Sequence, residues 1–126
     1  MAAKKLAYIA SPYAGDIEAN VEFAREACRY AVFQGVIPFA PHLLYPQVLD
    51  DTVPEERELG TMMGIRMLKL CGELWLCGER LSEGMGQEMK EARRLGIPVR
   101  RISSEEIMGH GNEKSFGFMQ KGMRLC

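Results

Sequence analysis

Leu6-Ala7-Tyr8-Ile9-Ala10 is a short, uninterrupted apolar run that stops at Ser11-Pro12, and it indicates the fold. A run without alternation of apolar and polar residues is typical of a strand that is covered on both faces of a parallel sheet. Comparable runs follow at residues 36–40, 73–77 and 97–100. We therefore expect four strands, each buried between helices.

Helical patterns separate these runs. Asp16 is a good N-cap for a long helix, and Gly35 ends it. Residues 41–53 are expected to form a longer loop. The spacing of the apolar residues predicts that one face of the first helix is buried, and that face is made of Ile17, Val21, Ala24, Cys28, Ala31 and Val32.

Pro54 predicts the first turn of a second helix, which would run to about Cys71. Gly60 and Gly64 lie inside it and are expected to make it weak or broken, because glycine is a poor helix former. Residues 83–95 predict a third helix, and a last helical turn is expected at residues 105–108.

Strands that alternate with helices predict an α/β fold with a doubly wound, Rossmann- or flavodoxin-like parallel sheet. We expect four or five strands in the order 2-1-3-4, with helices on both faces. Pro38 has no amide hydrogen, which places the second strand at an edge. Residues 1–108 would form this single domain. Residues 109–126 would be a tail that contains glycine and methionine and is either mobile or ordered against a second subunit.

The composition narrows the class of protein. The 126 residues carry a net charge of −1, so no basic surface for nucleic acid is expected. No apolar stretch is long enough to span a membrane, and the first residues lack the features of a secretory signal. None of the four cysteines forms a CxxC pair, and no two histidines have metal-ligand spacing. We therefore expect a cytoplasmic protein with free thiols, no metal site and no membrane partner.

The segment Ser82-Glu83-Gly84-Met85-Gly86-Gln87-Glu88 carries the strongest chemical signal. Ser82 can cap the third helix, which leaves free amide groups and a positive dipole end facing the loop. Gly84 and Gly86 in the first turn indicate that something approaches the backbone closely. That partner is either a ligand or a neighbouring strand.

Glu88 lies inside the apolar stripe of this helix, three residues after Met85 and four before Ala92. Glutamate is seldom buried unless it is paired or functional. We therefore interpret Glu88 as a nucleophile or base, with a structural ion pair to an arginine as the alternative.

Two further segments are candidate parts of the site. The loop Ser11-Pro12-Tyr13-Ala14-Gly15 precedes a helix N-terminus and can hold an anion, although Tyr13 is equally explained by packing. His42, after the second strand, would point to the same region as a ligand contact or as a hydrogen-bonded structural residue. Parallel strands place ligands beyond their carboxyl ends, so these segments are expected to meet there.

Together, residues 8–15, 39–42, 73–78 and 82–88 resemble the nucleoside 2-deoxyribosyltransferase-like superfamily. This superfamily includes the 2′-deoxynucleoside 5′-monophosphate N-glycosidases and many small relatives. The resemblance spans residues 6–100 and is most specific in its last segment.

The resemblance implies that Glu88 attacks C1′ of the sugar. Ser82 stands where members that use nucleosides carry aspartate and members that use monophosphates carry serine, which favours a ligand with a 5′-phosphate. Asp50 and Asp51 are candidates for a second carboxylate. The implied substrate-binding residues are Ser11, Tyr13, Gly15, His42, Ser82, Gly84 and Met85.

We therefore expect an enzyme that cleaves or transfers the N-glycosidic bond of a nucleoside or nucleotide, without a cofactor, as a homodimer or larger homo-oligomer. Two alternatives stay open at this point. One is a non-catalytic module that binds or senses a nucleotide. The other is a structural protein that assembles through its methionine-rich segments.

Overall fold

The computed structural model describes residues 5–109, which form a parallel sheet with helices on both faces. The strands are β1 (Leu6–Ala10), β2 (Ile37–Phe39), β3 (Glu73–Cys77) and β4 (Val99–Ile102). Their order is β2-β1-β3-β4, and each neighbouring pair is parallel. The predicted doubly wound α/β fold and its strand order are confirmed.

Four helices connect and flank the strands: α1 (Ile17–Phe33), α2 (Tyr45–Val48), α3 (Pro54–Leu68) and α4 (Glu83–Arg94). Residues 104–109 are also helical, beginning after Ser103, whose hydroxyl accepts a hydrogen bond from the Glu106 amide. Asp16 caps α1 as predicted, its side chain accepting from the Ala19 amide, and Gly35 follows the helix with a φ of 88°.

The core has two halves because successive side chains of a strand point to opposite faces of the sheet. Ala7 and Ile9 of β1 face α1 and the helical segment 104–109. Tyr8 and Ala10 face α3 and α4. The second half of the core therefore contains a tyrosine hydroxyl, and it places this polar group beside the two helices that carry the candidate site.

The predicted buried face of α1 was partly wrong. Ile17 and Val32 are 47% and 41% exposed, whereas Ala27 and Tyr30 are buried. Small side chains let the helix backbone lie close to the sheet, and Tyr30 packs against Trp75 of β3 with ring centroids 6.0 Å apart. The side chains of the sheet determine which face of α1 is buried, and Trp75 fills much of the space between the sheet and α1.

Several boundaries differ from the prediction. Residues 41–53 are not a simple loop. A 3₁₀ turn begins at Pro41, and the short α2 has Pro46 in its first turn, where the fixed φ of proline is suitable. β4 begins two residues later than predicted, because Ile97 still bonds back to the Ala92 carbonyl and the ladder starts at Val99. α3 is a continuous helix that ends at Leu68.

The predicted edge position of the second strand is confirmed within residues 5–109. Pro38 lies on β2, which pairs on one side only, with β1. Cys28, Cys71 and Cys77 are free thiols. In this part of the chain, no helix combines the length and apolar character that a bilayer crossing requires. All of the predicted tail except Gly109, and with it Cys126, lies outside the described residues.

Candidate active site

A cavity of about 140 Å³ opens on the α3–α4 side of the sheet. Its floor is Tyr8 of β1, and one wall is the segment from Pro41 to Asp51 that follows β2. Residues between 56 and 65 of α3 and the N-terminal half of α4 form the other walls. This places the cavity where the carboxyl ends of parallel strands leave room for a ligand.

Glu88 lies in this cavity and is bonded to the sheet below it. The Tyr8 hydroxyl donates a hydrogen bond to Oε2 of Glu88 over 2.5 Å. No lysine or arginine within the described chain forms an ion pair with Glu88. Within residues 5–109 the structure therefore shows no ion pair of the kind that the alternative interpretation, a structural pairing with an arginine, requires.

Burial raises the pKa of the Glu88 carboxyl to about 7, and the hydrogen bond from Tyr8 acts in the opposite direction. The pKa of Tyr8 itself is raised well above its ordinary value, first by burial and then by the Glu88 charge. Tyr8 therefore stays protonated and remains a donor. A carboxyl group that titrates near neutral pH can serve either as a nucleophile or as an acid and base.

His42 lines the same cavity, and its ring is fixed from two sides. It stacks on Tyr13 with centroids 5.0 Å apart and an interplanar angle of 29°. Burial lowers the pKa of the imidazole, whereas Asp51 and a hydrogen bond to the Ser11 main chain raise it. Tyr13 and the Ser11 main chain therefore both lie beside the imidazole.

Six residues of α3 line the cavity, and four of them form a stripe along the helix: Arg57, Gly60, Thr61 and Gly64. Positions spaced by three, four and seven residues share one helix face. A Cβ on Gly64 would lie 3.0 Å from the Tyr8 hydroxyl, and one on Gly60 would lie 3.4 Å from Leu49. The two glycines were predicted to weaken α3, but they instead leave room for the cavity and for Tyr8.

The predicted site residues separate into two groups. His42, Gly84 and Glu88 line the cavity. Among the residues that do not line it, Ser82 caps α4 through the Met85 amide, at 3.2 Å, and the Met85 side chain is 1% exposed within the core.

The loop after β1 lies behind the cavity wall. Tyr13 reaches the cavity only through its contact with His42. Ser11 is 1% exposed, and its hydroxyl has no hydrogen-bond partner among the described residues. Gly15 has a φ of 100°, a left-handed conformation that glycine adopts without strain, so the turn itself accounts for this residue.

Gly84 and Gly86 are not explained by a tight helix–strand contact. A Cβ on either residue would meet no atom within 4 Å. Gly84 lines the cavity, so the open space beside it is available to a ligand.

Of the two candidate second carboxylates, Asp51 lines the cavity, whereas Asp50 accepts hydrogen bonds from Thr52 at 2.9 and 2.6 Å. Glu73 lies at the opposite end of β3, where it accepts from the Trp75 indole at 2.7 Å. In residues 5–109 no three acidic, histidine or cysteine side chains are grouped as metal ligands.

Sequence reasoning missed Tyr8 and Arg57 as cavity residues. Tyr8 sits in a strand without apolar–polar alternation, so the sequence offered no sign of the face it occupies. The signal for Arg57 was its spacing to Gly60, Thr61 and Gly64, which marks one face of α3.

Comparisons with known proteins support the fold and the family. A solved structure of a 2-deoxyribosyltransferase from the psychrotolerant bacterium Bacillus psychrosaccharolyticus is similar, with a TM-score of 0.64 and 19% identity. The match covers 78% of this chain and 72% of that chain. No curated protein matches this sequence. Residues 5–102 match the model of a domain of unknown function, DUF7768, and the chain therefore belongs to the DUF7768 family.

Proposed function

We propose that this protein cleaves or transfers the N-glycosidic bond of a (deoxy)nucleoside 5′-monophosphate-like substrate, with Glu88 as the nucleophile. The observation that carries the proposal is the position of Glu88, which is partly buried at the cavity, has no cationic partner in the described chain and is hydrogen-bonded to Tyr8. A purely structural carboxylate would be expected to have a cation beside it.

In the first step, an oxygen of ionised Glu88 forms a bond to C1′ of the sugar as the bond from C1′ to the base nitrogen breaks. The electron pair of that bond leaves with the base, which takes up a proton. The product is a glycosyl ester of Glu88. The pKa of about 7 leaves a large share of Glu88 ionised at neutral pH.

In the second step, water or the hydroxyl or ring nitrogen of an acceptor attacks C1′ and loses a proton. The ester bond breaks and the carboxylate returns. Water gives hydrolysis, and a second base gives transfer. The reaction is balanced without a redox or metal cofactor.

His42 is our candidate for the group that protonates the leaving base. It lines the cavity together with Glu88, and its ring is fixed by Tyr13 and the Ser11 main chain. Asp51 stabilises the protonated imidazole. A fixed imidazole with a nearby carboxylate can deliver a proton to a ring nitrogen.

The wall of the cavity suits a planar base. Tyr45 and Pro46 provide flat apolar surfaces there, and Phe39 supports Tyr45 from behind with ring centroids 6.3 Å apart. The resemblance of this sequence to the nucleoside 2-deoxyribosyltransferase-like superfamily, and the fold shared with a 2-deoxyribosyltransferase, support this choice of substrate class.

The test is to incubate the purified protein with nucleosides, 2′-deoxynucleosides and their 5′-monophosphates and to measure free base by chromatography. We expect base release by the wild type and none above background by Glu88→Gln. Equal release by both proteins would contradict the proposal. Thermal stabilisation by a nucleotide without base release would support the alternative, a nucleotide-sensing module.

We also propose that the protein is a cytoplasmic homodimer or larger homo-oligomer. Support comes from exposed apolar side chains on α2 and α3, among them Val48 at 70% and Met62 at 48% exposure. Light scattering tests the assembly, and a monomer at micromolar concentration would contradict it.

A further inference from the structure

Arg57 is the one lysine or arginine of residues 5–109 that lines the cavity. Its guanidinium makes no hydrogen bond or ion pair with a described residue. Its main-chain amide donates to the Val53 carbonyl, and its carbonyl accepts from the Thr61 hydroxyl. An unpaired guanidinium beside a cavity is well suited to bind an anion, because its planar fork of donors matches the oxygens of phosphate or carboxylate.

The acidic groups of the cavity do not need Arg57. Glu88 accepts from the Tyr8 hydroxyl, and Glu56 accepts from the Asp50 amide at 2.8 Å. Asp51 is close enough to His42 to raise the pKa of the imidazole. Each carboxylate thus has a local partner, and the charge of Arg57 is left for a ligand.

The position of Arg57 relative to Glu88 follows from the helix. Gly64, which lies against the Tyr8 hydroxyl, comes seven residues after Arg57, or roughly 10 Å along the helix axis. Arg57 therefore stands about two helical turns from the point where α3 lies against the Tyr8 hydroxyl, and it lines the same cavity as Glu88. An anionic group on the far side of the sugar from the glycosidic bond would lie within its reach.

The hydroxyl of Ser82, which the resemblance associates with a phosphate, is already engaged as the cap of α4. That hydroxyl accepts from the Met85 amide and keeps its own O–H donor, but Ser82 does not line the cavity. Arg57 is therefore the charged donor that the described chain offers at the cavity.

We propose that Arg57 binds the phosphate of a nucleoside 5′-monophosphate and so sets the preference for monophosphates over nucleosides. This inference rests on the proposed function for the choice of substrate class. Arg57 acts as a specificity-determining residue and takes no part in the bond-breaking step.

The experiment measures binding by calorimetry on the Glu88→Gln protein, so that turnover does not interfere. The probes are the four common 2′-deoxynucleosides and their 5′-monophosphates. Arg57→Gln and Arg57→Lys are compared with Arg66→Gln, a matched control on the same helix that is exposed and outside the cavity lining.

We expect Arg57→Gln to raise the Kd for the monophosphate by roughly 10- to 100-fold, with nucleoside affinity unchanged. Arg57→Lys should keep the positive charge but lose the planar pair of donors, so its Kd for the monophosphate should lie between those of the parent protein and of Arg57→Gln. Arg66→Gln should bind like its parent.

An equal loss for nucleoside and monophosphate, no loss for either, or no binding of any monophosphate to the parent would each overturn the proposal. A failure of the proposed function has a different signature. In that case the wild type releases no base, while the binding of monophosphate still depends on Arg57.

Discussion

The Tyr8 hydroxyl on β1 donates a hydrogen bond to Glu88 on α4 over 2.5 Å, joining residues 80 positions apart in the sequence. The tyrosine ring is 1% exposed and packs in the core between the sheet and α3–α4. Because packing against the sheet and the helices fixes the Tyr8 ring, the hydrogen bond also fixes the position of the Glu88 carboxylate. We regard this pair as the centre of the proposed site.

Tyr8→Phe keeps the ring in the core and removes the donor. Because the hydrogen bond lowers the pKa of Glu88, its loss should raise that pKa further. The ascending limb of the pH–rate profile for base release should move to higher pH, and the rate at pH 7 should fall about tenfold. Tyr30→Phe, on the opposite face of the sheet, is the control, and its profile should not move. A lower rate with an unshifted profile would argue against a role through Glu88.

Glu88→Gln should change how stability depends on pH. The folded pKa of about 7 is above the ordinary value of 4.5, so the folded state binds the proton more tightly between these values and wild-type stability falls as pH rises through them. Above pH 7 the variant should be more stable than the wild type by on the order of 3 kcal/mol, and near pH 4 this advantage should be absent. Urea denaturation of both proteins at pH 4 and pH 8 measures the change. An equal difference at both pH values would contradict the burial of an ionisable carboxyl.

Gly64→Ala should not give the stabilisation that a helix interior usually gains from alanine. The new Cβ would lie 3.0 Å from the Tyr8 hydroxyl, which has little freedom to move. Gly86→Ala, with no atom within 4 Å, is the matched control and should gain about 1 kcal/mol. Base release should fall in Gly64→Ala because Tyr8 is displaced. Equal stabilisation of the two variants in denaturant unfolding would show that the contact is unimportant.

Ser82→Ala should lower the free energy of unfolding by about 1 kcal/mol, because it removes the hydroxyl that accepts from the Met85 amide. Ser82→Asp should keep most of the stability, since aspartate is also a good N-cap. Calorimetric binding of a monophosphate to Ser82→Ala separates the two roles that the residue has been given. Unchanged affinity fits a cap alone, and a large loss would assign the hydroxyl to the ligand.

Much of the fold could be predicted because its strands are short apolar runs with clear stops. The bounds of β1 and β3 were predicted correctly, and the order of strands followed from right-handed crossovers. The start of β4 was displaced because Ile97 is apolar but belongs to the connection after α4. The buried face of α1 was displaced because its contacts depend on Trp75, which is distant in sequence.

The site was harder to predict than the fold. Glu88 could be identified because it interrupts an apolar stripe, and this signal is local. Tyr8 could not, because a doubly covered strand gives no sign of which face each residue takes. The role of Gly60 and Gly64 was misjudged for a similar reason. Glycine lowers the stability of an isolated helix, but here the space beside each glycine is occupied by a residue from elsewhere in the chain, Tyr8 beside Gly64 and Leu49 beside Gly60.

In the proposed mechanism, Glu88 forms a covalent bond to C1′ of the sugar. The most direct measurement of this bond is intact-protein and peptide mass spectrometry after brief incubation with a 2′-deoxy-2′-fluoro nucleotide, whose glycosyl ester should break down slowly. We predict an added mass equal to the glycosyl group, located on the peptide that contains Glu88 and absent from Glu88→Gln. Base release by the wild type with no adduct on that peptide, or with the adduct on another residue, would contradict the account.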